Sequence, residues 1–508
     1  MFVDSRNIPT GHNVQCDICV IGAGAAGISF AREFIGKSVN VCLMESGGLQ
    51  SDADTQYLCD GENTGLPYPP LVATRLRFFG GTTNHWAGYS RPYSNWDFQK
   101  RAWITDSGWP ISRSELDPYY DRAIEMLGFP KEYWDLKFLE AKLGESRLPL
   151  TEFVTNVHLV KPVRMGQTFR AAIEKSDNVS TYLYANVINL EVDEFAKVIT
   201  AVRIATLSGN HFSVSAKYFV LAAGGIENPR ILLLSNSVQK EGLGNQKGLV
   251  GRYFTDRPEF LSGVISPSRK DLPLKIYGGT QHPVTIGQTQ IVSLFFLSEE
   301  SQRKRESVAS CIRLVAKPVE SHSESVWDKL SRHVNRVTDD LSHITTPQDQ
   351  RINYVRQPID HIEVHLGLEP VPNPESRVTL SNEVDRLGLR RVRVNWQLSE
   401  LELKSARETM EILGAEVARA NIGRLKSLLH SADNGWPETF KGVSHHLGTT
   451  RMADDPTRGV VDTNCKVHEI SNLYIAGSSV FPAAGLGTTT LMIIALAIRL
   501  ADHIKGSL

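Results

Sequence analysis

Three groups of residues in this sequence are suited to chemistry. Residues 75–92, RLRFFGGTTNHWAGYSRP, set His85 in a glycine-rich loop between basic and aromatic flanks. Residues 442–452, GVSHHLGTTRM, place His445 and His446 side by side before a Gly-Thr-Thr-Arg turn. Imidazole titrates near ~6.5, which suits it to accept a proton at neutral pH. If the backbone is extended there, neighbouring side chains point to opposite sides, so only one of the two histidines faces a site. The third group is Gly22, Gly24 and Gly27 in VIGAGAAG, with Glu45 18 residues farther on.

The glycines require a strand-to-helix turn. Residues 16–24, CDICVIGAG, read as a buried strand that ends in glycine, and AAGISFAREFIG follows with helical periodicity. In G-x-G-x-x-G the first glycine allows the tight turn, the second lets a pyrophosphate approach the backbone, and the third lets helix and strand pack closely. The helix N-terminus then offers free N–H groups and a positive dipole end to phosphate. The next strand, VNVCLMESGG, carries Glu45, placed to accept hydrogen bonds from ribose hydroxyls. This spacing does not choose between NAD and FAD.

A second glycine-rich turn lies at the far end. Residues 471–504 read as a short strand, a loop holding Gly485 and Gly487, and a helix beginning near Thr488, Thr489 and Thr490. Amides at that helix start could face the pyrimidine edge of a flavin and stabilise negative charge there.

Bulk properties limit the alternatives. A chain of 508 residues is too long for one core, so two or more domains are expected. A formal net charge of −1 argues against nucleic-acid binding. The longest apolar run, LMIIALAI at 491–498, is far below the ~20 residues of a membrane span. The N-terminus shows neither a basic nor an apolar leader region, so a cytoplasmic protein is expected. Cys16 and Cys19 form a CxxC inside a strand, where residues three apart face opposite ways, so the pair reads as structural and no metal site is expected.

Taken together, VIGAGAAG with Glu45, GGTTNHWAG, LAAGGIENPRILLLSNS at 221–237, HHLGTTRM and the C-terminal loop-helix resemble the glucose–methanol–choline (GMC) oxidoreductases over nearly the whole chain. SGWPISRSELDPYYDRA and EPVPNPESRVTLSNEVDRLGLRRVRVNW resemble the branch of bacterial pyranose 2-oxidases and glycoside 3-oxidases. The resemblance implies an α/β, Rossmann-like FAD-binding domain built from residues 1–90, 150–255 and 440–508. It also implies an α+β substrate domain with an antiparallel sheet over 256–439, and a loop-helix excursion over 91–149 that covers the active site. HIEVHLGLEP, SRVTLS and RVRVNWQL alternate as strands, residues 400–422 read as an amphipathic helix, and residues 323–344 read as a polar amphipathic helix.

The implied activity is FAD-dependent oxidation of an alcohol, first of all a secondary hydroxyl of a sugar or glycoside, by hydride transfer to flavin N5 with His445 as base. The implied cofactor contacts are Gly22, Gly24, Ala25, Ala26, Gly27, Glu45, Ser46, Gly80, Gly81, Thr82, Asn84, His85, Trp86, Val187, Ala223, Gly224, Gly477, Gly487, Thr488 and Thr489. Val187 matches the residue whose backbone holds the adenine. His85 matches the histidine that carries flavin covalently in pyranose 2-oxidases, although Asn84 replaces a threonine of that pattern. Where the family has an asparagine or histidine partner to the catalytic histidine, this chain has Thr488. Either Thr488 orients the substrate with His445 as the sole base, or the site is repurposed. An acceptor of oxygen, a quinone or a redox protein is left open, as is a homo-oligomer. So are a dehydrogenase of a non-sugar alcohol, a redox-neutral lyase and a flavoprotein without turnover.

Overall fold

The computed structural model describes all residues except 279–282, 320–351, 354–357 and 430–434. The helix expected over 323–344 lies outside the described residues. Six strands pair in parallel in the order Phe2–Asp4, Val179–Leu183, Val41–Met44, Ile18–Ile21, Tyr218–Leu221 and Leu473–Ile475. Ile18–Ile21 and Val41–Met44 are buried on both faces, as strands sandwiched between helical layers must be. The helix Ala25–Arg32 connects them. The chain leaves Ile18–Ile21 toward one side of the sheet and returns on the other with Tyr218–Leu221, which creates a topological switch point at the carboxyl ends of these strands.

Close approach at that point requires glycine. A Cβ on Gly22, whose φ is +106°, would lie 2.7 Å from the Ala222 carbonyl oxygen, and one on Gly27 would lie 1.8 Å from that of Gly22. The sheet is thereby locked to the helix at one turn. Across the helix layer, Thr489–Lys505 packs against both Ala25–Arg32 and Arg113–Leu127. Arg122 of the latter helix pairs with Glu33 and Asp502.

A ten-stranded, antiparallel sheet forms the second body among the described residues. Thr289–Leu297, Ser310–Pro318, Ile359–Leu368 and Pro258–Pro267 form consecutive neighbours at its centre. The expected helix over 400–422 is observed as Glu400–Arg419, started by a reciprocal Ser399–Glu402 cap. It buries Ala406, Met410, Leu413 and Val417, a 3–4 spacing that gives one apolar face. Phe153–Val160 belongs to this sheet, pairing along its whole length with Thr289–Leu297. The boundary expected at residue 150 therefore cuts off a strand of the antiparallel sheet: its alternation matches either body, and only the pairing partner decides. Arg377–Val384 and Arg390–Asn395 form a hairpin that pairs in parallel with Gly61–Asn63, a separate three-stranded sheet.

Gly27→Ala should be intolerant: the methyl group meets backbone, which cannot rotate away, and overpacking of this kind costs about 1–3 kcal/mol or more. The expected result is protein purified without bound flavin and with a lowered melting temperature. A variant that keeps full flavin content would show that the turn opens.

Candidate active site

A cavity of about 580 Å³ starts at the glycine turn and runs to the paired histidines. Its walls include Gly22, Gly24, Ala25, Ala26, Glu45 and Ser46 at one end, and Thr82, His85, Trp86, His445, His446, Thr488 and Thr489 at the other. Gly81, Val187, Ala223, Gly224 and Gly477 complete the sequence-derived residues that it gathers. Gly24 is the N-cap of Ala25–Arg32, and nothing lies within 4 Å of where its Cβ would be, so ligand can approach this backbone. Glu45 accepts hydrogen bonds from the backbone N–H groups of Ala23 (3.0 Å) and Gly47 (2.9 Å). Burial raises its pKa while these donors oppose the rise, so the carboxylate shapes the turn as well as facing the cavity.

The histidine loop is held by a buried acid. Asp256 accepts from the backbone N–H of His445 (Oδ1, 2.8 Å) and of Ser444 (Oδ2, 2.8 Å), and from the Tyr68 hydroxyl (Oδ2, 2.6 Å). Burial pushes its pKa up to about 6, with these donors pulling the other way, so it is ionised at neutral pH. Ser444 has φ of +63°, a left-handed conformation costly for a residue with a side chain. The carboxylate supplies the compensating bonds. His446 packs between Tyr68 and Phe254, with ring centroids at 6.1 and 6.0 Å. Its carbonyl accepts from the Ser478 hydroxyl (2.6 Å), and a Cβ on Gly225 would lie 2.1 Å from that oxygen. The second glycine of LAAGGIENP is thus required by the histidine loop. Burial lowers both imidazoles to about 3, helped by Arg257 at His445 and by Arg75 at His446, so both are neutral at physiological pH.

The His85 loop ends a short 3-10 turn, Gly81–Asn84, anchored by Arg164, which donates to the carbonyls of Thr83 (3.2 Å) and Trp86 (2.8 Å). His85 itself stands exposed on the cavity wall, its pKa lowered by partial burial and by Arg164.

Four expected contacts lie outside the cavity lining. Gly27 packs helix on strand, the role assigned to a third glycine. Gly80 has φ of +99° and sits beneath Asn84, whose amide donates to the Phe79 carbonyl (3.0 Å), so both shape the loop. Gly487 lies against the Tyr93 ring, 2.0 Å from where its Cβ would be. Thr488 lines the cavity, but its hydroxyl donates to the Arg91 carbonyl (3.0 Å) and accepts from the Arg91 N–H (2.7 Å). The expected substrate-orienting role of Thr488 is corrected accordingly: its donor is already engaged, and it ties the loop to residue 91. Because that hydroxyl turns away, no side chain caps the 17-residue helix Thr489–Lys505, and its first turn faces the cavity. Residues 91–149 supply no lining residue; they back the C-terminal loop and helix instead of covering the site.

Sequence reasoning missed a charged network on the wall between the two ends. Glu227 meets Arg75 (2.9 Å), Arg230 (3.3 Å) and Arg77 (3.7 Å), and Arg230 also meets Asp385 (2.7 Å) of the 377–395 hairpin. Burial would raise the Glu227 pKa, yet Arg230, Arg77 and Arg75 together hold it at about 2. Arginine 77 and the GGIENPR segment gave no spacing signal for this, because its members come from three separate segments.

Comparison with known proteins agrees with this arrangement. The GMC oxidoreductase family model matches residues 372–497. The chain is 23% identical to the fructose dehydrogenase large subunit of Gluconobacter japonicus, over 98% of this chain and 99% of that protein. These matches support a GMC oxidoreductase. The chain is an FAD-dependent oxidoreductase acting on CH–OH groups. A 30% identity to the C-glycoside 3-oxidase of Arthrobacter globiformis extends over 59% of this chain and 48% of that protein. The fold matches crystalline pyridoxine 4-oxidase from Mesorbium loti with a TM-score of 0.60 at 18% identity, over 97% and 99% of the two chains. The residues present fit FAD: an open glycine backbone at one helix N-terminus, an uncapped second helix N-terminus, and neutral imidazoles between them.

Asp256→Asn replaces an acceptor with an amide that presents N–H groups to N–H groups. A loss of about 1–3 kcal/mol is expected, the cost of leaving buried donors unsatisfied. Thermal denaturation of the holoenzyme measures it; an unchanged melting temperature would refute the clamp.

Proposed function

We propose that this enzyme oxidises a secondary hydroxyl of a sugar or glycoside, with His445 as general base. The observation that carries the reading is a neutral imidazole on the cavity wall whose backbone is fixed by Asp256. A base must hold an empty nitrogen toward the hydroxyl in one orientation, and a clamped, uncharged His445 meets both requirements. The proton of the substrate hydroxyl passes to an imidazole nitrogen of His445 as its carbon loses hydride. When bound, FAD supplies the hydride acceptor. His446, wedged between Tyr68 and Phe254, buttresses the loop and leaves the proton transfer to its neighbour. The glycine turn, Glu45 and Val187 would hold the adenosine diphosphate half of FAD, and the helix start at Thr489 would face the flavin half. The names of two relatives, a fructose dehydrogenase and a C-glycoside 3-oxidase, support a carbohydrate substrate.

The same reading has His85 carry the flavin covalently. It stands on the wall with an imidazole kept uncharged, and only the neutral ring has a nucleophilic nitrogen.

His445→Ala should slow anaerobic reduction of the flavin by about 10²–10⁴-fold, the worth of a general base, with FAD still bound. The wild-type reduction rate should stay level as pH falls through 6.5, because the folded-state imidazole protonates only near about 3. Undiminished reduction by the variant would remove His445 from the role, whereas an acid limb near pH 6 would report protonation of the Asp256 clamp. Admitting oxygen or a quinone to the reduced enzyme then identifies the acceptor. Separately, acid precipitation of the holoenzyme should leave a yellow pellet, and that of His85→Ala a colourless one. A colourless wild-type pellet would exclude the covalent link.

A further inference from the structure

Resting on the alcohol-oxidation reading, a feature of the substrate end narrows the substrate further. Arg257 lines the cavity next to the Asp256 clamp, and among the described residues its guanidinium makes no hydrogen bond or ion pair. Its stem passes Gly367, with Cδ 3.7 Å from where a Cβ would lie there. Its charge is felt at His445, His158, Cys311 and Tyr93, so it sits among the groups at this end and not in bulk water. A second cation, Arg91, is half-buried and, like Arg257, acts on His158. Arg91 has one neutral side-chain partner, Asn156 (2.8 Å), and lies 4.9 Å from the Phe296 ring centroid.

The acids in the neighbourhood are engaged elsewhere. Glu259 also lines the cavity, but it faces Arg313 at 3.6 Å. Asp97 accepts from the Ser94 N–H (2.6 Å), the Ser94 hydroxyl (2.8 Å) and the Leu486 N–H (3.1 Å). Glu369 is gripped by both terminal nitrogens of Arg101, at 2.6 and 2.5 Å. Asp256 uses its oxygens on the histidine loop and Tyr68. The two histidines here are driven neutral, which relieves the excess positive charge without supplying a counter-charge. An unpaired charge at low dielectric is costly, and it persists where a ligand completes the pair. A neutral sugar would leave Arg257 unpaired, and a cationic substrate would meet like charge.

We propose that Arg257 binds a carboxylate of the substrate, so that the alcohol oxidised at His445 belongs to a sugar acid or to a glycoside bearing a carboxylate. A planar guanidinium matches a carboxylate with two parallel hydrogen bonds. Held there, the carboxylate would fix which hydroxyl reaches His445.

The test uses holoenzyme under anaerobic conditions and matched pairs: gluconate with sorbitol, glucuronate with glucose, and methyl glucuronide with methyl glucoside. Binding is read from perturbation of the oxidised flavin band, and reduction from its bleaching. In the wild type the acid of at least one pair should bind about 10²-fold more tightly than its neutral partner, the scale of a charge-assisted pair. Arg257→Met should remove most of that ratio and Arg257→Lys should restore part of it, with flavin content confirming that each variant is folded. Equal binding of acid and neutral partners by the wild type would overturn the proposal. So would an Arg257→Met variant that weakens both members of every pair alike, which would assign Arg257 to the reacting oxygen or the flavin. Tight acid binding without bleaching would instead uphold the carboxylate site and refute the oxidation reading. Bleaching by neutral sugars without an acid preference would do the reverse.

Discussion

A buried carboxylate must be surrounded by donors, and at Asp256 the donors come from separate parts of the chain. Tyr68 arrives from the segment that follows the second parallel strand, Ser444 and His445 from the C-terminal part, and Asp256 itself stands at the entrance to the strand Pro258–Pro267. Gly442 is required to let the chain past: its Cβ would lie 2.6 Å from Asp256 Oδ2 and 2.6 Å from the Tyr68 ring. One acid therefore joins the nucleotide-binding body, the antiparallel sheet and the histidine loop. If it moved, the left-handed Ser444 would lose its compensation, and His445 would lose its fixed approach to the cavity.

Electrostatics divide the cavity in the same way. On the nucleotide side, arginines and acids alternate, with Glu227 between three guanidiniums and Asp385 closing the chain from the 377–395 hairpin. Such a network is rigid and locally balanced, and it holds a wall in place. On the substrate side the balance fails: among the described residues Arg257 and Arg91 make no ion pair, and burial lowers His445 and His158, helped by Arg257 at both and by Arg91 at His158. The imbalance thus serves the base, since a proton acceptor must be unprotonated before substrate arrives.

How much of this was legible in the sequence depended on whether a residue's role is local. Gly22, Gly24, Gly27 and Glu45 were readable because turn, phosphate approach and strand end all lie within one β-α-β unit, where spacing fixes geometry. The helix Glu400–Arg419 was readable from its apolar period and its Ser-x-x-Glu start. The structural roles of Thr488, Asn84 and Gly487 were not legible because each answers to a neighbour remote in sequence or hidden in the loop: the Arg91 backbone, the Phe79 carbonyl and the Tyr93 ring. Asp256 and Arg257 carried no signal, since FTDRPEF has neither a period nor a motif that says which strand it enters.

The engaged hydroxyl of Thr488 bears on how the site divides its labour. With that oxygen tied to residue 91, the helix start contributes its backbone to the cavity and no free side-chain donor at this position. In the proposed reading, proton transfer then rests on His445 alone. The charged group left to orient a substrate is Arg257, which stands at the start of a strand of the antiparallel sheet. In that reading the nucleotide-binding body supplies the cofactor cradle, and the histidine loop the base. The sheet, whose interior strand Pro258–Pro267 begins beside the unmatched charge of Arg257, is in the proposed reading where substrates are told apart. Because Asp256 and Arg257 are consecutive, the group that aligns the base and the group that selects the substrate share one peptide unit, so a shift in either is passed directly to the other.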